Sequence, residues 1–137
     1  MSNNLSSTST ELLSTRVAPA NILVVDDEAM VLEVMSMILR KEGHRTTTCI
    51  DGVAALEHYL VHWEQIDLVV LDMSMPNMGG REAVVALLTV NPAVKIILAT
   101  GLNIESGENI IEGVSFVLQK PFDMRKFVDT VAVVLGS

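Results

Sequence analysis

Four short runs in this chain each deliver a polar group at their carboxyl end: ILVV before Asp26 and Asp27, LVVL before Asp72, IILA before Thr100, and FVLQ before Lys120. Runs of this length and β-branched content read as parallel strands buried on both faces. In an open α/β sheet, ligands bind beyond the carboxyl ends of the strands. The four runs therefore bring two acidic segments, a hydroxyl and an ammonium to one rim, which suits a divalent cation and a phosphoryl group.

The rest of the pattern supports such a sheet. Strands are expected over 22–26, 45–50, 67–71, 94–99 and 114–118, and helices over about 28–42, 53–63, 80–90 and 123–135, with a weak helix near 105–112. Five successive βα units imply an α/β fold, a doubly wound parallel sheet with helices on both faces. In the first helix, Val31, Val34, Met35, Ile38 and Leu39 follow the spacing of one buried stripe, and Gly43 supplies the reversal after it. Met30 and Met37 lie on a flank of that stripe, suited either to a widened core contact or to a partner surface. The third helix must stop at Asn91, because a residue before proline disfavours the α region. Residues 1–20, rich in Ser, Thr and Asn and closing on Ala-Pro-Ala, read as a tail or linker, and residues 21–137 as the folded domain.

Composition excludes several classes of function. The 137 residues fit one domain, and 50% hydrophobic content supplies a core. A formal charge of −8 with only nine Lys and Arg argues against direct nucleic-acid binding, which needs clustered basic residues to neutralise phosphates. No apolar stretch approaches the length of a membrane span, and the start of the chain has neither a basic nor an apolar leader region. The chain reads as cytoplasmic. The single Cys49 ends a strand-like run and reads as a small buried hydrophobe.

Three aspartates held together repel one another, and a divalent ion relieves that repulsion. Oxygen ligation by carboxylates, with positions left for water and phosphate, suits Mg2+, whereas no Cys/His set of the kind zinc prefers is present. Asp26-Asp27-Glu28 alone could equally be helix capping. Asp72 adds a third acid, after an apolar strand and before the turn-forming MSMPNMGG. Lys120, fixed by Pro121, can aim a compact charge at a phosphoryl oxygen, and a cis bond at Pro121 would explain a sharp entry into the last helix. His44, His58 and His62 read as solvated or half-buried, Tyr59 and Trp63 as helix packing, and Gly79-Gly80 lacks the context of a nucleotide loop.

These segments, LVVDDE at 23–28, VVLDMSMPNMGGRE at 69–82, LATG at 98–101 and QKPF at 119–122, resemble the receiver domains of bacterial two-component response regulators. The resemblance spans about residues 20–137. It implies the flavodoxin-like five-stranded order 2-1-3-4-5 and a phosphorelay role in which Asp72 is the phosphoacceptor. It further implies that Asp27 binds Mg2+ directly, Asp26 directly or through water, and that the Met73 backbone carbonyl completes the protein ligands. Thr100 and Lys120 would then contact phosphoryl oxygens. The donor would be a sensor histidine kinase or a histidine phosphotransfer protein, and a weak homodimer is compatible with the family. On this reading the chain is no enzyme beyond its own phosphorylation and slow autodephosphorylation, and stands alone or comes from a hybrid kinase. Two other classes share part of this pattern. A haloacid-dehalogenase-like aspartyl phosphatase carries a second Asp two residues after the nucleophile, where Ser74 stands here, and a receiver-fold interaction module that is never phosphorylated usually lacks an acid or the lysine. One departure from the family is Val117, three residues before Lys120, where an aromatic ring is common; the expected consequence is a response centred on 101–113.

Overall fold

The computed structural model describes residues 18–74, 78–101 and 111–137. Among these, the elements run β1 (Asn21–Val25), α1 (Ala29–Lys41), β2 (Arg45–Cys49), α2 (Gly52–His62) with a 3-10 turn at Trp63–Gln65, β3 (Leu68–Asp72), α3 (Gly80–Val90), β4 (Ile96–Thr100), β5 (Phe116–Gln119) and α4 (Met124–Gly136). All strand pairs are parallel, in the order β2-β1-β3-β4-β5. This is the expected flavodoxin-like doubly wound sheet.

Two apolar layers hold it. One joins Ile22, Val24, Val70, Ile97 and Leu118 to Leu32, Met35 and Leu39 of α1 and to Phe127, Val131 and Val134 of α4. The other joins Leu23, Val25, Val69, Leu71, Ile96 and Leu98 to Ala55 and Tyr59 of α2 and to Ala83, Val84 and Leu87 of α3. Alternate residues of each inner strand thus point to opposite layers, as the pleat requires. β3 and β4 are buried throughout. Edge strand β2, RTTTC, is not, which is why its sequence lacks an apolar run.

Several expectations shift. The buried stripe of α1 is Leu32, Met35, Ser36 and Leu39, with Val31 and Ile38 half-buried and Val34 52% exposed, so the helix is rotated from the orientation its valines suggested. Ser36 on the inner face gave no hydrophobic signal. β4 starts at Ile96 because Val94 donates to the Asn91 carbonyl in the turn before it, and β5 starts at Phe116 after Gly113, whose φ of 90° turns the chain. Ala20, assigned to the tail, is buried, with its N–H on His44 Nδ1 at 3.0 Å. Most of the expected 105–112 helix and the Pro76 turn lie outside the described residues.

Helix starts are fixed locally. Asp51 and Asp123 accept the Ala54 and Lys126 N–H groups at 2.8 Å, capping α2 and α4. Gly80 opens α3 because no side chain fits there: a Cβ would stand 2.7 Å from the Met73 Cα. Among the described residues, no helix is long and apolar enough to cross a membrane.

Candidate functional site

The rim is made by the last ladder bonds of the sheet. Asp26 N–H donates to the Cys49 carbonyl, Met73 N–H to Ala99, and Lys120 N–H to Thr100 at 2.7 Å. Each expected site residue therefore sits at the carboxyl end of its strand or within two residues of it. Asp26 is 1%, Thr100 2% and Asp72 5% exposed, while Asp27 faces solvent. The Lys120–Pro121 bond is cis, as anticipated.

Asp26, Asp27 and Asp72 each offer a carboxylate oxygen within 4.8 Å of the others, the only such group among the described residues. Lys120 Nζ donates to Asp72 Oδ1 at 2.8 Å and stands 3.8 Å from Asp26 Oδ2. Asp26 Oδ1 accepts the Glu28 N–H at 2.9 Å, which orients that carboxylate ahead of α1. Its other oxygen, Oδ2, is buried without a hydrogen-bond partner. One ammonium thus serves two buried carboxylates, and one oxygen of the acid cluster is left unsatisfied. Such an oxygen is costly unless a cation or donor reaches it.

Charge and burial shift the titrations accordingly. Burial raises the Asp26 carboxyl above the usual carboxylate range, with Asp72 and Asp27 adding to the rise and the Glu28 N–H and Lys120 opposing it. Burial by itself lowers Lys120, but its hydrogen bond to Asp72 and the charges of Asp72, Asp26 and Glu28 outweigh that and leave the ammonium raised. Lys120 stays protonated across the physiological range. It is a fixed positive charge and not a proton donor.

The donor set fits a hard divalent cation: three carboxylates on one rim, one of them exposed toward solvent, and one carboxylate oxygen unsatisfied. The Met73 carbonyl accepts the Gly80 N–H at 3.0 Å, which ties the acid loop to the start of α3. This close approach leaves no trace in sequence beyond the glycine itself. Phe116 lies in the layer of α1 and α4, with Lys126 Nζ 5.9 Å from its ring centre, while Val117 is in register with Leu98 of the other layer. No aromatic side chain occupies that position of β5.

Comparison with known proteins agrees with this geometry. The response regulator receiver domain family model matches residues 22–132. The chain is 32% identical over 121 residues to the chemotaxis protein CheY of Treponema pallidum, covering 86% of this chain and 84% of that protein. Among solved structures, it superposes on the CheX–CheY–BeF3–Mg complex from Borrelia burgdorferi with a TM-score of 0.78 at 28% identity, over 85% of this chain and 89% of that one. The response regulator TrrA of Thermotoga maritima, in complex with Mg and BeF, gives 0.76 at 28% identity, over 84% and 98%. With its sheet order, its rim and these likenesses in agreement, the chain belongs to the response regulator receiver domain family of two-component systems.

Proposed function

We propose that Asp72 accepts a phosphoryl group from a phosphohistidine of a sensor kinase or histidine phosphotransfer protein, and that the chain then signals by a change of surface. The observation that carries this reading is the Lys120 Nζ to Asp72 Oδ1 contact of 2.8 Å beside an acid cluster with an unsatisfied oxygen. Asp26, Asp27 and Asp72 would hold Mg2+ together with the Met73 backbone carbonyl, which has one lone pair left after its bond to Gly80. Mg2+, when bound, neutralises the carboxylates and spreads the charge of the transferred group.

The protein residues act by position and charge. An Asp72 carboxylate oxygen forms the bond to phosphorus as the nitrogen–phosphorus bond of the donor breaks, and the electron pair stays on the imidazole. Lys120 holds Asp72 in place beforehand and afterwards pairs with a phosphoryl oxygen. Thr100, buried one step past the residue in register with Asp72, gives its hydroxyl to another. Charge spread over the phosphoryl oxygens is what these groups stabilise. Each phosphorylation uses up its acceptor, so the chain is a signalling module and not an enzyme with turnover.

The donor docks where α1 faces the β5–α4 connection. A groove of about 710 Å³ opens there between Met30, Val34, Ile38, Phe122 and Met124, with Lys120 at its rim. Met30 and Met37 are 80% and 56% exposed, which places both flank methionines on the surface. Acetyl phosphate with Mg2+ tests the chemistry without any partner. One added phosphoryl mass that disappears in Asp72→Asn, and weaker Mg2+ binding in Asp27→Ala, support the reading; an unlabelled parent chain points instead to an interaction module, and a label retained in Asp72→Asn places the acceptor elsewhere.

A further inference from the structure

A second polar cavity lies at the opposite end of the sheet, beside edge strand β2. It has a volume of about 560 Å³, and its lining includes Arg40, His44, Arg45, His58, His62 and Gln65. Five-residue strands separate the two ends of the sheet by roughly 15 Å. This cavity is therefore distinct from the acid rim.

Its chemistry is the inverse of the rest of the molecule. The chain carries 17 Asp and Glu against nine Lys and Arg, yet no carboxylate lines this space, and all three histidines do. Among the described residues, neither Arg40 nor Arg45 is paired with a carboxylate. Arg45 is held in place nonetheless: its Nε donates to Asn21 Oδ1 at 2.7 Å, while Asn21 Nδ2 donates to the Gln65 carbonyl at 2.7 Å. That bond leaves the terminal nitrogens of the guanidinium for another acceptor. Because His44 Nδ1 accepts the Ala20 N–H, its ring proton must sit on Nε2, so this buried imidazole offers a donor and no lone pair for a metal. Glu42, the acid whose charge acts on His44, does not line the cavity. His58 and His62 lie one helical turn apart with ring centres 4.4 Å from each other.

We propose that this cavity binds a small phosphate monoester. Two guanidiniums supply charge-assisted bonds of the geometry that phosphate oxygens prefer, and imidazole N–H groups and the Gln65 amide add neutral donors. The volume falls within the range of small-molecule pockets and exceeds what a bare phosphate fills, so an organic ester is the better occupant. Its occupancy would give the chain a chemical input separate from Asp72.

The test is a binding titration of the full chain in EDTA, followed by amide and imidazole NMR shifts, with inorganic phosphate, glucose 6-phosphate and AMP as separate probes. The Asp72→Asn form removes the phosphoacceptor from consideration. Shifts should concentrate at His44, Arg45, His58 and Gln65 and persist in Asp72→Asn, with the ester binding more tightly than inorganic phosphate. Arg40→Gln and Arg45→Gln should each weaken the ester about tenfold, as expected for one lost charge-assisted bond. Both residues are exposed, and unchanged circular dichroism of the variants establishes that the loss is local. Shifts confined to the Lys120 rim, affinity unchanged in both variants, or, in a parallel titration without EDTA, shifts produced by Zn2+ when none of the phosphates gives any, would overturn the proposal.

Discussion

Replacing Asp26 by asparagine should stabilise the metal-free protein while removing its response to Mg2+. The substitution keeps an oxygen for the Glu28 N–H, now 2.9 Å from Asp26 Oδ1, and replaces the unsatisfied, 1% exposed Oδ2 by an amide that can donate toward Asp72. Lys120 loses only its longer contact of 3.8 Å and keeps Asp72 at 2.8 Å. Relief of an unsatisfied buried acceptor is worth about 1–3 kcal/mol, or roughly 4–12 °C in melting temperature for a domain of this size. The pH dependence has a defined sign. A carboxyl whose folded pKa is raised binds its proton more tightly in the native state, so stability falls as pH rises from the unfolded value of 3.8 through the raised one. The parent should therefore lose stability over that window, and the asparagine form should lose less. At a hundredfold excess of Mg2+ over its Kd, the parent gains about 2.7 kcal/mol by linkage, and the variant much less. Asp26→Ala, which also loses the Glu28 bond, should gain less than Asp26→Asn in EDTA. Thermal melts in EDTA and in Mg2+, repeated across pH, measure all three effects. An asparagine form that melts below the parent in EDTA at neutral pH would refute the account of an over-charged rim.

Lys120→Ala leaves two buried carboxylates without their shared ammonium; because Lys120 is partly exposed, the cost should be about 1–3 kcal/mol in EDTA, recovered in part by Mg2+, with binding of the ion retained in calorimetry and the conformational response to beryllofluoride lost. Gly80→Ala places a Cβ 2.7 Å from the Met73 Cα and should destabilise by about 1–3 kcal/mol while slowing phosphorylation by acetyl phosphate, measured by melts and by intact mass against time. Met30→Glu with Met37→Glu should slow transfer from a phosphohistidine protein and leave labelling by acetyl phosphate unchanged; equal loss of both would show that these side chains serve the fold.

The rim was legible because its residues obey strong local rules. Asp26, Asp72, Thr100 and Lys120 each follow a short run that only a buried strand explains, and parallel strands have one common exit face. What depends on packing between distant elements was not legible. The rotation of α1 that exposes Val34 and buries Ser36 is set by how α1 meets the sheet and α4, and the helical spacing of its apolar residues is compatible with either orientation. The engagement of the Met73 carbonyl by Gly80 is a backbone contact seven residues apart, which residue types do not encode. The unsatisfied Asp26 oxygen and the gathering of His44, His58 and His62 around one cavity arise only when α1, β2 and α2 are placed together. Edge strand β2 was expected from the alternation of elements, since RTTTC carries no apolar run of its own.

The proposed function stands or falls with Asp72 as the acceptor of the phosphoryl group. It is tested most directly by treating the chain with acetyl phosphate and Mg2+, reducing the product with borohydride, and sequencing the peptides by mass spectrometry. An acyl phosphate is reduced to the alcohol, so homoserine marks the acceptor. Homoserine should appear at position 72 alone, and only with Mg2+; homoserine at position 26 or 27, or none anywhere, would rule out Asp72 as the acceptor.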